Sequence, residues 1–348
     1  MTSRFRCTFN PALGALLIFQ AFAAPLGLAQ DAAPTATVGE TRIARWKDDC
    51  SAAFLLMFDD SWPSHFQVAA PELVKRGMIA TFYINPAKGE YQKFATEWQD
   101  KLWKQGMVYG NHTMTHKGVK DMESAEWEIG ECSRIIRQIG EGKADRLVSY
   151  GQPGVPQDAW KITPAQLEEL LKKHHLVSRP AFDGHGAVYH LKTAAEMLAL
   201  ADKAIASKGM EYVVVHGLER KAPNWGYQDF WPLPQQVYVD LLDGLKERRD
   251  KGDLWITDHI SQHQYETERD SATVKVLEAG EKGIKLELKA TADARYYDLP
   301  LTLVTQVPAS WAKAGVTQGG KTAKVTIRNG VARFDAIPNG QVVELVPE

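Results

Sequence analysis

Two acids, Asp59 and Asp60, close the first long apolar run of the mature chain, Phe54-Leu55-Leu56-Met57-Phe58. In parallel α/β folds the carboxyl end of a buried strand faces the ligand crevice, so paired acids there suit proton transfer or metal binding. Asp ahead of a helix is also a common cap, but one cap does not need two acids. Further along, His112-Thr113-Met114-Thr115-His116 follows another apolar run, Met107-Val108-Tyr109-Gly110. If that segment is helical, its two imidazoles share one face and lie close enough to hold one ion; two exposed histidines are the plain alternative. With one of the acids they complete a His-His-carboxylate set that leaves a position open for water, as a hydrolytic zinc site requires. A third run, Tyr212-Val213-Val214-Val215, leads directly into His216. That histidine is either a hydrogen-bonded core residue or a third strand end converging on the same place.

Short apolar runs alternating with longer helical patterns are the signature of an α/β chain with parallel strands. Seven runs qualify: Ala52 to Phe58, Ile79 to Ile84, Met107 to Gly110, Leu147 to Tyr150, Leu176 to Ser178, Tyr212 to His216 and Leu254 to Thr257. Amphipathic spacing predicts helices over Tyr91 to Gln105, Ser124 to Ile139, Ala194 to Ser207 and Pro234 to Arg249. From about Asp270 the period changes to two, as in Ile284, Leu286 and Leu288, then Leu299, Leu301 and Leu303. Asn329-Gly330 and Asn339-Gly340 stand between such runs where tight hairpins form. Residues 270–348 therefore read as a small antiparallel accessory β-domain behind a parallel α/β part spanning 40–269.

Arg4 and Arg6, the apolar run Ala12 to Phe22 and the small residues Ala23, Ala24 and Ala29 make residues 1–30 an export signal. The run is too short to span a bilayer. A polar linker over 31–39 follows, and the protein is expected to work in the periplasm or outside the cell. With 41 basic and 43 acidic residues the net charge is -2, which gathers neither nucleic acid nor an anionic membrane. Of the three cysteines, Cys50 and Cys132 outlast the signal, either as a disulfide or as two buried thiols.

These residues resemble the NodB-homology polysaccharide deacetylases, carbohydrate esterase family four, over roughly Cys50 to Arg269. Met57-Phe58-Asp59-Asp60-Ser61 is similar to the family's Thr-Phe-Asp-Asp-Gly. His112-Thr113-Met114-Thr115-His116 matches its His-Ser/Thr-x-x-His, and Val213-Val214-Val215-His216 its late strand ending in His. The resemblance implies a distorted (β/α)7 barrel in which Asp59 is the catalytic base, Asp60, His112 and His116 hold a divalent metal, and His216 is the general acid. In that scheme a metal-bound water, acidified by the ion, gives its proton to Asp59 and attacks an acetyl carbonyl.

Two departures stand out. The family's Arg-x-Pro motif corresponds here to Gly151-Gln152-Pro153-Gly154, so the arginine that orients the base is missing. Arg179, after the fifth run, either reaches in to pair with Asp59, braced by Asp183, or is a surface arginine. The Gly154 N–H is the candidate oxyanion donor, since Pro153 has none to give. In the second departure, Ser61-Trp62 replaces Gly-Pro, which sets an indole beside the metal position. Trp62, Trp225, Tyr227 and Trp231 either line a sugar groove or pack on the barrel rim. Asp183 to Gly186, including His185, is expected to shape access, while Asp258 and His259 fall outside the core set.

The expected function is removal of N- or O-acetyl groups from a polysaccharide or oligosaccharide, with zinc as the first choice of ion and cobalt or nickel fitting similar ligands. The partner is an acetylated carbohydrate, with no nucleic acid and no membrane span after signal cleavage. A carbohydrate-binding protein of decayed activity, and a hydrolase of some other amide or ester, are the alternatives.

Overall fold

The computed structural model describes residues 37–140, 145–181, 190–221 and 228–348, which belong to one compact unit. The expected signal over 1–30 and most of the linker lie outside the described residues. Among the described residues no helix is long and apolar enough to cross a membrane.

Strand β1 (Thr41–Ile43) precedes seven parallel strands: β2 (Ala52–Asp59), β3 (Thr81–Ile84), β4 (Val108–Asn111), β5 (Val148–Tyr150), β6 (Leu176–Ser178), β7 (Met210–Val215) and β8 (Leu254–Thr257). All seven apolar runs are strands. They follow the order β6-β5-β4-β3-β2-β7, with β8 also on β2. One edge of β2 carries β7 along Ala53 to Phe58; the other is shared, β8 taking Ala52 to Leu55 and β3 taking Met57 to Asp59. Among the described residues β6 and β7 are not paired, so the barrel is open there, which is its distortion.

Helices α1 (Ala70–Lys75), α2 (Gly89–Lys93), α3 (Met122–Ala125), α4 (Cys132–Gln138), α5 (Pro164–Lys173), α6 (Ala194–Ser207), α7 (Gln235–Asp250) and α8 (His259–Ser271) lie between and after the strands. Thr163 and Thr193 start α5 and α6 with capping boxes to Gln166 and Glu196. The expected helices over 91–105 and 124–139 are each broken by a wide π turn, Glu97–Lys101 and Glu126–Glu131.

Period two decides what faces inward. Phe54, Leu56, Phe58, Phe82, Ile84, Tyr109, Tyr150, Val213 and Val215 join the helix-side core. Leu55, Met57, Tyr83, Tyr212 and Val214 form the barrel interior. Continuing each alternation past the strand end turns Asp59, His112, Gly151, Arg179 and His216 inward together.

Seven antiparallel strands follow: β9 (Ala272–Gly280), β10 (Gly283–Ala290), β11 (Leu301–Gln306), β12 (Lys313–Gln318), β13 (Lys321–Thr326), β14 (Val331–Ala336) and β15 (Asn339–Pro347). They form sheets β1-β11-β14 and β13-β12-β15-β10-β9 around a core that includes Leu286, Leu303, Val316, Phe334 and Leu345. Strand β1, expected in the barrel part over 40–269, is therefore a strand of this sandwich, pairing Thr41 with Thr305. Three residues are too few to show a period. Asn329 and Gly330 both take positive φ (53° and 71°) in a two-residue turn closed by Arg328 and Val331. Asn339-Gly340 closes no hairpin: it opens β15, in a different sheet from β14. Cys50 and Cys132 are both free thiols, so no disulfide joins them.

Tyr265 of α8 enters the sandwich core and donates from Oη to the Ala44 carbonyl at 3.0 Å. One turn on, fully buried Glu268 accepts the Leu299 N–H at 3.1 Å, while its Oε1 has no hydrogen-bond partner among the described residues. Burial, reinforced by Asp298 and opposed by that hydrogen bond, pushes its carboxyl up to about 7. A folded-state value above the unfolded one gives stability that is fully present at acid pH and lost as pH rises through about 7. Glu268→Gln is therefore expected to stabilise the protein by roughly 1–3 kcal/mol at pH 8 and to change little near pH 4, read by urea melts at both. Equal effects at the two pH values would show the carboxyl does not titrate as described.

Candidate active site

Asp59 ends β2 inside the barrel and is almost wholly buried. Arg179, one residue past β6, grips it with a two-pronged fork: Nη1 to Oδ1 at 2.5 Å and Nη2 to Oδ2 at 2.8 Å. Of the two placements open in the sequence, Arg179 takes the inward one. Burial alone would raise the Asp59 carboxyl, but the Arg179 charge, His112 and the fork outweigh it and hold it well below the usual range. The guanidinium also lies over the Tyr83 ring, 4.4 Å from its centroid. Gly151 makes this reach possible, because a Cβ there would stand 2.8 Å from Arg179 Cζ and Nε and 3.0 Å from Tyr83 Cδ1. The side chain that β5 lacks at its end is what admits the one from β6.

Asp60 and Ser61 turn away from the strand at φ 80° and 57°. Such conformations cost energy in residues other than glycine, and the family motif that Ser61 departs from carries glycine there. Here the Ser61 hydroxyl accepts the Asn85 N–H at 2.8 Å, which offsets part of that cost. The turn aims the Asp60 carboxylate at two imidazoles: Oδ1 lies 3.2 Å from His116 Nε2 and 3.6 Å from His112 Nε2. One donor atom from each of Asp60, His112 and His116 falls within 4.8 Å of the others.

The histidine segment is a loop, not a helix: Thr113 and His116 take φ of 65° and 63°, so the two imidazoles meet through left-handed turns. Side chains behind the loop fix it. Asn111 Oδ1 accepts the Thr113 N–H at 2.8 Å, Asn85 Nδ2 donates to the Thr113 carbonyl at 3.0 Å, and buried Glu128 accepts from the Thr115 N–H at 2.9 Å and hydroxyl at 2.5 Å. His112 Nδ1 donates to the Gly151 carbonyl at 2.6 Å, which leaves its Nε2 as a lone pair. Burial, with Arg179 and His116 acting the same way, lowers His112 to about 4 against the pull of Asp59 and Asp60, so the ring is neutral at pH 7. Asp60 Oδ1 and His112 Nε2 are both buried without a hydrogen-bond partner among the described residues. Orphaned atoms of that kind are costly unless something binds them, and a carboxylate with two imidazoles is the donor set that divalent zinc, cobalt or nickel takes.

His216 follows β7 and packs edge-on against Phe230 and Trp231, at 6.0 and 5.4 Å between ring centroids. Phe230 and Trp231 stack on one another at 4.2 Å and are nearly half exposed. Trp62 adds a third ring, 6.4 Å from Phe230. This approach depends on Gly217, where a Cβ would meet the Phe230 carbonyl at 2.7 Å. Gly154 lies on an exposed turn beyond Gly151 with open space beside it. Trp225, Tyr227, Asp183 and His185 lie outside the described residues. Asp258 caps α8, and His259 sits in the interior bonded to Ser149 Oγ at 2.7 Å.

Sequence reasoning missed Asn85, Lys88, Phe230 and the space at Gly151. Asn85 was reachable, since it continues the inward positions Thr81 and Tyr83 of β3. Lys88, whose Nζ is 3.8 Å from Asp60 Oδ1, gives no such signal.

The polysaccharide deacetylase family model matches residues 47–166, the stretch that holds both acids and both histidines. Over that stretch the chain is similar to the polysaccharide deacetylase family. A match over 338 residues links the chain to a gellan lyase from a Bacillus species at 23% identity; it covers 89% of this chain but only 13% of that much longer protein. Among solved structures, a family 4 carbohydrate esterase from Streptomyces lividans with acetate is 17% identical, covering 59% of this chain and 91% of that one at a TM-score of 0.40. The peptidoglycan deacetylase PdaC from Bacillus subtilis is 16% identical, with coverage of 63% and 94% and a TM-score of 0.42. These structures are too distant for residue roles to be transferred from them.

Proposed function

We propose that this protein is an exported, metal-dependent hydrolase that removes acetyl groups from a polysaccharide or oligosaccharide. The observation that carries the reading is the pair of orphaned donor atoms, Asp60 Oδ1 and His112 Nε2, buried beside an aspartate that Arg179 keeps ionised. Asp60, His112 and His116 would hold the ion, zinc before cobalt or nickel, and when bound it supplies Lewis acidity to the acetyl carbonyl and to a water. Asp59 takes the proton of the attacking water, and the Arg179 fork fixes the direction in which its lone pairs point. His216 returns a proton to the departing sugar nitrogen or oxygen, and the Gly154 N–H offers a hydrogen bond to the developing oxyanion. Trp62, Phe230 and Trp231 present ring faces for sugar C–H surfaces, and the buried Trp62 Nε1–H has no acceptor within the described residues, which leaves it for a sugar hydroxyl. Trp225 and Tyr227 are proposed for the same groove, and the sandwich as an accessory layer.

Acetate release from acetylated xylan, chitooligosaccharides and peptidoglycan fragments tests the reading. At least one substrate is expected to turn over, to stop with a chelator and to resume with zinc, cobalt or nickel. Silence on all of them at full metal occupancy would replace the enzyme with a carbohydrate-binding protein.

A further inference from the structure

Lys88 is a buried-stem cation that the proposed proton transfers do not use. Its ammonium lies 3.8 Å from Asp60 Oδ1 and 4.7 Å from the Trp62 ring centroid, with the side chain 19% exposed. Asp59 is matched by Arg179 and Asp60 by Lys88, so the described site is balanced before any ion enters. The neighbouring Glu128 carboxylate is turned to Thr115 instead. An ion held by Asp60 Oδ1, His112 and His116 claims the oxygen that Lys88 now faces, and like charges at such range repel. The ammonium keeps its place against the indole that walls the groove, but it loses its anion.

We infer that Lys88 takes its replacement anion from the substrate, and so selects acetylated glycans that carry a carboxylate beside the acetylated sugar position. This rests on the deacetylase reading. A single ammonium balances the one charge of a carboxylate, whereas a phosphate monoester brings nearly two. Sugar carboxylates come as uronic acids or as lactyl ethers, and the probes separate the two. With the zinc-loaded full chain, kcat/KM is measured on two matched pairs: chitohexaose against peptidoglycan glycan strands, and acetylated xylo-oligosaccharides against acetylated oligogalacturonides. In one pair the acidic member is expected to lead by about tenfold or more, mainly through KM, with the lead shrinking in salt. Lys88→Met should remove the preference and Lys88→Arg should keep it.

Binding gives an independent readout. Tryptophan fluorescence titration with an unreactive, acetyl-free acidic oligosaccharide should show affinity about tenfold weaker in Lys88→Met than in wild type. Acetate release with no acid preference, or a preference that outlives Lys88→Met, would overturn the role of Lys88 and leave deacetylation standing. Lysine-dependent binding without acetate from any probe would overturn deacetylation and leave the lysine's role standing.

Discussion

Arg179→Ala is expected to lower kcat by about a hundredfold or more and to destabilise the fold by about 3–5 kcal/mol, the usual cost of stranding one partner of a buried ion pair. Asp59 would then stay buried 3.7 Å from His112 Nε2 with nothing to replace the fork. Its carboxyl would rise, and since the ionised form accepts the proton, the acid limb of the rate profile should move to higher pH. Arg179→Lys restores one charge but not two parallel hydrogen bonds, so it should recover stability better than rate. Gly151→Ala is the sharper test because it removes no charge. Its new methyl group would stand 2.8 Å from the guanidinium carbon and 3.0 Å from the Tyr83 ring, and both are boxed in. The fork should open and activity should fall with it. If Arg179→Ala kept kcat within twofold of wild type, the fork would have no part in the reaction.

Asp60→Asn and His112→Ala are each expected to weaken metal binding by more than the 10–100-fold that losing an outer partner of a ligand costs, measured by calorimetry on the chelator-stripped protein. His116 is more exposed, and its loss should matter less than that of His112. Stability should separate a ligand site from ordinary packing. In metal-free protein Asp60→Asn removes a buried carboxylate whose Oδ1 faces Lys88 at 3.8 Å but makes no hydrogen bond among the described residues, so the melting temperature should change little. With zinc in excess the wild type gains about 4 kcal/mol at a thousandfold over Kd, and the variant gains little. Unchanged zinc affinity in both variants would sink the proposed ion site.

Much of this site was written in alternation. Once β2, β4, β6 and β7 are placed by their apolar runs, counting by two past each end turns Asp59, His112, Arg179 and His216 to one interior. Arg179 was open in the sequence because whether a loop arginine reaches inward depends on the room beside it, and the Gly151 vacancy appears only when two strands are adjacent. The His112–His116 spacing was read through a helix, whereas left-handed turns at Thr113 and His116 do the work. Such turns are invisible in residue types that rarely adopt them. Lys88 and Phe230 come from loops whose course is set by distant partners: Phe230 by Gly217, and Lys88 by the fold of its own turn onto Asn85. Strand β1 escaped notice for a simpler reason, since Thr-Arg-Ile is too short to declare a period.

That small strand ties the two ends of the chain together. Thr41 meets Thr305 across 264 residues of sequence, so this early strand has nowhere to go until the last quarter arrives. A fragment stopped at Arg269 would display Ile43 and Tyr265 to water, two faces that the whole protein hides in a shared interior. Maturation thus waits on a handshake between segments far apart in sequence, and a chain truncated late in synthesis would be sticky and easily degraded rather than a working half.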